Sequence, residues 1–411
     1  MKQLAVIGSG IAGLTAAHYL STRYRVHLFE ANDYIGGHTH TVDITVEGVP
    51  CAVDTGFIVF NDRTYPNFMR LLDELAVPFQ KTEMSFSVRN DGIGLEYNGH
   101  TLDTLFAQRR NLVSPPFLRM LMDIVRFNRQ VKKTSADPDC QTLGEFLDAR
   151  RFGSLFRDNY LFPMVAAIWS MGLDDIRQFP LPFFVRFFDN HGLLNLVDRP
   201  QWYTITGGSR SYIPKITDRF AERIHLSTPV KKLTREAGGI RVITDTDEDR
   251  FDHVILACHA DQALTMLDAP TDMETRILGN LPFIDNQVVL HTDSRILPRN
   301  PRAWASWNYN IAADRTARTT LTYNMNILQR LDLPATCLVT LNQEIDIHKQ
   351  LQQFTYAHPA YSPAAVTAQQ QWDRISGPGG LHFCGAYWFN GFHEDGVKSA
   401  LRVCEALGET P

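Results

Sequence analysis

The sequence predicts an α/β protein: a doubly wound sheet assembled from discontinuous segments, joined to an α+β part of mixed sheet and helix. Three observations predict it. The N-terminus reads strand, helix, strand in "QLAVIG", "IAGLTAAHYLSTR" and "YRVHLFE", the order of a crossover between parallel strands. Apolar strand character returns after residue 200 and again at "LHFCG". Between these stretches the texture turns helical and aromatic. One domain is therefore expected over 1–65, 200–265 and 366–411, and the other over 66–199 and 266–365. A chain of 411 residues exceeds one ordinary core.

The first turn carries "GSGIAG", which spans Gly8, Ser9, Gly10, Ile11, Ala12 and Gly13 between strand and helix. Gly8 permits the tight turn, Gly10 lets a pyrophosphate approach the backbone, and Gly13 lets helix and strand pack closely. The helix N-terminus offers free N–H groups to phosphate. Glu30 closes the second strand, 22 residues after Gly8. A carboxylate there accepts hydrogen bonds from ribose hydroxyls and repels a 2′-phosphate, which disfavours NADP. Together these features predict a Rossmann-like dinucleotide site.

Farther along, "TYPNFMRLLDELAV" has helical spacing, with Phe68, Leu71, Leu72 and Leu75 on one side, and "SFSVRNDGIGLEYNGH" reads as a hairpin. Helices are expected through "LFAQRRNLVSPPFLRMLMDIVRFNRQVKK", "TLGEFLDARRF", "SLFRDNYLFPMVAAIWSM" and the Phe-rich "FPLPFFVRFFDNHGLL". Three strands are expected in "IHLSTPVKKLTRE", "GIRVITDTD" and "RFDHVILAC", and a final helix in "HEDGVKSALRVCEALG".

Composition narrows the function classes. The net charge of −5 argues against a general nucleic-acid binder. Six dispersed cysteines with no C-x-x-C spacing suggest neither zinc nor a disulfide framework, and a reduced, cytoplasmic protein is expected. The glycines in the opening apolar run argue against a signal peptide, and no apolar stretch is long enough for a transmembrane helix.

"GSGIAGLTAAHYL" followed by "FEANDYIGGHTHT" is similar to the flavin-containing amine oxidase and phytoene desaturase superfamily. So are "STPVKKL" and "LHFCGAYWFNGFHEDGVKSALRVCEAL". A bacterial subgroup of predicted NAD/FAD-binding flavoproteins, associated with cyclopropane-type fatty-acid modification, resembles this chain further in "VDTGFIVFNDRTYPN", "RPQWYTITGGSRSYI" and "NQVVLHTD". The resemblance implies noncovalent FAD. Glu30 and Ala31 would meet the adenosine, Gly36, Gly37 and His38 the pyrophosphate, and Val230 the adenine. Gly385 and Ala386 would lie at the ribityl part, with Asp395, Gly396 and Val397 beneath the pyrimidine ring. It also implies hydride transfer from a substrate C–H to flavin N5, with reoxidation by oxygen or a diffusible acceptor. The alternatives are an amine oxidase releasing peroxide, or a non-redox flavin- and lipid-binding isomerase or partner protein.

Two departures stand out. The superfamily's Gly-Gly-Arg is Gly36-Gly37-His38 here, and histidine carries only part of a charge near neutral pH. A lysine near N5 is common in amine oxidases, and Gln287 is its expected counterpart, which weakens the amine reading. Candidate substrate contacts are Phe57, Trp307, Tyr323, Trp388 and Phe392, which suit an apolar chain such as a fatty-acyl group. His191 is a candidate base. His38 and His40 lack a third ligand, so no metal is expected. Residues 109–133 hold seven Arg or Lys against one acid, Asp123. They suit peripheral contact with an anionic membrane at its inner face, or simply a solvated helix.

Overall fold

The computed structural model describes residues 1–133, 142–169, 175–190, 192–195, 199–311 and 320–409. Lys2–Ile7 form β1, whose last four residues are buried, as a central parallel strand covered on both faces requires. The chain turns at Gly8 into α1 (Ile11–Leu20) and returns as β2 (Tyr24–Phe29). Three later strands complete the sheet: β3 (Ile224–His225), β4 (His253–Leu256) and β5 (Leu381–Phe383). All five are parallel, in the order β3-β2-β1-β4-β5. Their carboxyl ends are in register, Ile7 with Phe29 and Leu256, and Leu256 with Phe383. Ligands of open parallel sheets sit outside that edge.

The three strands expected between 224 and 258 are five. Ile224–His225 joins the parallel sheet, and Lys232–Glu236, Gly239–Ile243 and Glu248–Phe251 form an antiparallel meander. "RFDHVILAC" then breaks at Asp252, whose carboxylate accepts the N–H of Gln3 at 2.6 Å. That bond starts β4 beside β1.

The last helix, α2 (His393–Ala406), packs on α1. Its first turn also caps another helix. Glu394 accepts the N–H of Asn67 at 3.2 Å and of Phe68 at 2.9 Å, at the start of Pro66–Glu74. This supplies the capping acceptor that Tyr65 lacks, a role worth ~1 kcal/mol. Phe68, Leu71 and Leu72 of that helix are buried in the same core as the parallel sheet.

A second sheet of seven strands runs Gln350–Pro359, Phe283–His291, Leu338–Leu341, Leu321–Asn324, Trp307–Asn310, Phe86–Asn90 and Leu95–Asn98. Its pairs are antiparallel except Trp307–Asn310 with Phe86–Asn90. Helices form a layer over one end. Pro115–Val131 begins with two prolines, tolerated in a first turn, and buries Phe117, Met120, Ile124, Phe127 and Val131 at helical spacing. Phe127 lies among Phe146, Phe152, Phe156 and Phe184 with ring centroids 5.4–5.9 Å apart.

A buried carboxylate ties the parts together. Asp54 ends the hairpin of Thr41–Val46 and Val49–Asp54. It accepts the hydroxyls of Thr41 (2.5 Å) and Ser209 (2.8 Å), the N–H of Ser209 (2.9 Å) and the amide of Gln329 (2.9 Å). Burial still pushes its pKa up to about 6.

Candidate flavin site

The site is built at the carboxyl edge of the parallel sheet. Gly8 has φ +104°, and Gly13 comes so close to it that a Cβ there would stand 2.0 Å from the Gly8 carbonyl. Gly10 is the opposite case: a Cβ on it would meet nothing within 4 Å. The helix start is therefore compact underneath and open on the outer side, and no side chain caps it. Glu30 is buried beside it. One carboxylate oxygen accepts from Ser9 N (2.9 Å) and Ser9 Oγ (2.6 Å), the other from Asn32 N (2.9 Å). The segment before Val230 runs along this edge, since Thr228 N donates to Glu30 O at 2.8 Å. Val230 is buried there, whereas Ala31 faces out.

The Gly36-Gly37 turn lies against the same helix start. Gly36 N donates to Ser9 Oγ at 3.0 Å, and a Cβ on Gly37 (φ +58°) would stand 3.1 Å from Gly10 Cα. His38 follows. Its carbonyl accepts Phe57 N at 2.7 Å, while its Nε2 has no partner. The His38 and His358 rings lie side by side, with centroids 5.6 Å apart, and both are partly buried. Burial lowers the His38 pKa to about 3 and that of His358 to about 4, and it lowers that of neighbouring His259 as well. Desolvation favours the neutral imidazole at His38. His40 turns aside, hydrogen-bonded to Tyr356 OH at 2.7 Å and stacked on Tyr34.

The start of α2 closes the site. Gly385 N donates to Ser399 Oγ at 3.0 Å, and Ala386 is half-buried beside it. Gly396 lies against α1, where a Cβ would stand 2.6 Å from Ile11 Cγ2, and Ala12 and Val397 are buried at this contact. Asp395 accepts Phe392 N at 2.9 Å, and burial raises its pKa to about 7. His393 Nε2 is 3.0 Å from Tyr212 OH, and its ring stacks on Phe57 at 3.7 Å.

Two candidates take other places. Gln287 is exposed on the outer face of its strand, bonded to Thr355 and Gln353. The inward position is its neighbour Asn286, 1% exposed, whose amide meets His358 Nδ1 at 3.3 Å and Asn342 at 2.8 Å. Strand side chains alternate, so an offset of one residue selects the wrong face. Trp388 is 2% exposed and packs with Tyr387 inside the first core, so it is no wall of the cleft. Phe57, Trp307, Tyr323 and Phe392 do keep open surface. Phe392 stacks on Phe187 at 5.2 Å and packs against both the first core and the helical core. Trp307 and Tyr323 meet edge to face at 5.2 Å. His191 and the side chain of Trp169 lie outside the described residues.

His259, His358 and Asn286 escaped the sequence reading. His259 had a usable signal, because "ACHA" directly follows β4 at the ligand-bearing edge.

The profile of the flavin containing amine oxidoreductase family matches residues 11–302, and the chain belongs to that family. AofH of Mycobacterium tuberculosis, assigned by description as a flavin-containing monoamine oxidase, is 26% identical over 270 residues. That match covers 62% of this chain and only 56% of AofH, so the chain spans just over half of this relative. Two solved structures show the same fold. Cyclohexylamine oxidase from Brevibacterium oxydans has a TM-score of 0.69 at 18% identity, over 99% of both chains. A conjugated-linoleic-acid-producing fatty acid isomerase from P. acnes has a TM-score of 0.71 at 13% identity, over 98% of both. The residues present fit FAD: Gly10 leaves its side of the helix start open, the Glu30 carboxylate ends the second strand beside it, and His38 Nε2 is buried without a partner.

Proposed function

We propose that this chain is an FAD-dependent oxidoreductase that removes a hydride from a C–H of an apolar, fatty-acyl type substrate. The observation that supports this reading is the aromatic seam. Phe392 keeps open surface where the parallel-sheet core meets the helical core, and Trp307 and Tyr323 keep open surface where the helical core meets the core of the second sheet. Burial raises the Tyr323 phenol, which stays neutral. Such a lining suits a chain of methylene groups and offers little to an ammonium beyond ring faces. Bound in the cradle, FAD would supply the two-electron acceptor.

The protein would hold and orient both partners. Glu30 would hold the ribose, the open side of Gly10 and the start of α1 would take the pyrophosphate, and α2 would direct its N-terminal dipole at the ring system. The imidazoles of His38 and His358, which burial holds neutral, would border the site without placing a fixed charge there.

The test is anaerobic bleaching of the flavin absorbance by acyl chains and by primary amines. Bleaching by an acyl substrate with a new double bond in the product supports the proposal. Bleaching by amines alone would favour an amine oxidase. Isomerised acyl chains without net bleaching would favour the isomerase reading that the fold of the P. acnes enzyme admits.

A further inference from the structure

Helix Pro115–Val131 has a second face with no structural task. Its core face is already satisfied by Phe117, Met120, Ile124 and Phe127. Leu118 and Met122, one turn apart, point outward, and Met122 is 64% exposed. Leu112 and Val113, in the 3₁₀ turn Arg109–Val113 just before the helix, stand open as well, Val113 at 81%. Half of the large apolar side chains exposed among the described residues fall between 93 and 122. Scattered exposed apolar residues are ordinary, but a concentration on one surface marks a contact.

The same face is basic. Arg119 and Arg129 are exposed and have no acidic partner among the described residues. Arg126 and Arg129 flank Met122 and Val125 around a shallow groove. The one acid of the stretch, Asp123, is turned inward, where it accepts Gly153 N at 3.0 Å and pairs with Arg126 at 2.8 Å. It therefore takes little from the outward field. Arg110 donates to the carbonyl of Gly94 and Gln108 Nε2 to the same oxygen at 3.0 Å. These bonds hold the hairpin turn, with exposed Ile93, beside the 3₁₀ turn. Three elements thus present apolar tips and cationic side chains on one fixed surface, in a protein whose net charge is −5.

We propose that this surface docks on an anionic lipid bilayer, with Leu112, Val113, Leu118 and Met122 entering the headgroup boundary and Arg119 and Arg129 meeting lipid phosphates. Apolar tips ringed by arginine match that interface on both counts, greasy depth and negative headgroups. An acidic protein or a nucleic acid would use the arginines and leave the apolar tips unexplained. No described helix is long and apolar enough to cross a membrane, so the contact is peripheral. The proposal is independent of the redox reading, and vesicle binding is measured without turnover.

The FAD-loaded full chain is sedimented with phosphatidylcholine vesicles, with and without phosphatidylglycerol. Binding is expected only with the anionic lipid, and it should weaken as salt rises. Arg119→Ala with Arg129→Ala should lower the partition about 30-fold, from ~1 kcal/mol per basic residue. Leu118→Asp with Met122→Asp should abolish it. Unchanged flavin absorbance and melting temperature show that each variant is folded. Equal binding to neutral vesicles, no vesicle binding, or loss of a duplex DNA contact or of a dimer instead of lipid binding would each overturn the proposal.

Discussion

His38 and His358, from the Gly-Gly turn and from the edge strand of the second sheet, lie side by side with ring centroids 5.6 Å apart. Burial holds them near pKa 3 and 4, against 6.5 in the free side chain. A base depressed in this way binds its proton more readily in the unfolded chain. Its contribution to stability is complete above pH 6.5 and is lost as pH falls from 6.5 through about 4 for His358 and about 3 for His38. Within that window each such group steepens the loss by up to ~1.4 kcal/mol per pH unit. His358→Asn or His38→Gln should flatten the stability-against-pH curve of FAD-free protein, read by urea denaturation at several pH values. An unchanged slope would mean that the rings reach water.

Gly10 and Gly13 should separate cofactor binding from folding. Gly10 has an ordinary φ of −64° and empty space beside it. Gly10→Ala should therefore leave FAD-free stability within about 1 kcal/mol of wild type while weakening FAD at least tenfold, because the new methyl occupies the open cradle. Gly13→Ala would force a Cβ against the Gly8 carbonyl, and should lose FAD together with ~3 kcal/mol or more of stability. Flavin fluorescence quenching and thermal melting read the two effects separately.

The Asp54 clip should be among the most sensitive points of the fold. Asp54→Ala strands the donors of Thr41, Ser209 and Gln329 in a dry site, for a loss of ~3–5 kcal/mol. Gln329→Ala removes only two of the bonds, since Asp54 N also donates to Gln329 Oε1 at 2.8 Å, and should cost about half as much. Denaturant midpoints for both variants, compared at equal slope, decide this.

Neighbouring substitutions on one strand should behave oppositely. Gln287→Ala is solvent-facing and should stay within about 0.5 kcal/mol, with flavin reduction unaltered. Asn286→Ala removes the buried amide between Asn342 and His358 and should cost ~2 kcal/mol. Anaerobic flavin reduction should slow with it, because His358 loses its orienting partner. A larger effect from Gln287 would invert the facing assigned here.

The parts legible in the sequence were those set by local backbone geometry. Glycines at 8, 10 and 13 between a strand and a helix admit few other structures, and Glu30 follows at the end of the next strand. The apolar spacing of Phe68, Leu71 and Leu72 likewise gave a helix face without knowledge of its partner. Whatever depended on pairing between distant strands was not legible. His358 reaches His38 only because Ile284 pairs with His358 and Asn286 with Tyr356 in an antiparallel ladder. The choice of Gln287 over Asn286 failed on the same register. Trp388 was chosen for its type, and only the packing of Tyr387 and the first core shows that it is enclosed. The basic helix was visible as charge, but its spare apolar face required knowing which residues the core had already used.

The position of β5 and α2 bears on how the chain is made. β1 is made long before β5, on the far side of β4, and the helix that covers Ile11, which come from residues 381–406. The nascent chain must therefore carry an uncovered apolar strand edge until residues 381–406 are made, at high contact order. Folding of this sheet should therefore wait for those residues and depend on holding chaperones. A released fragment ending before residue 381 should aggregate, and adding the 381–409 peptide in trans should rescue its solubility.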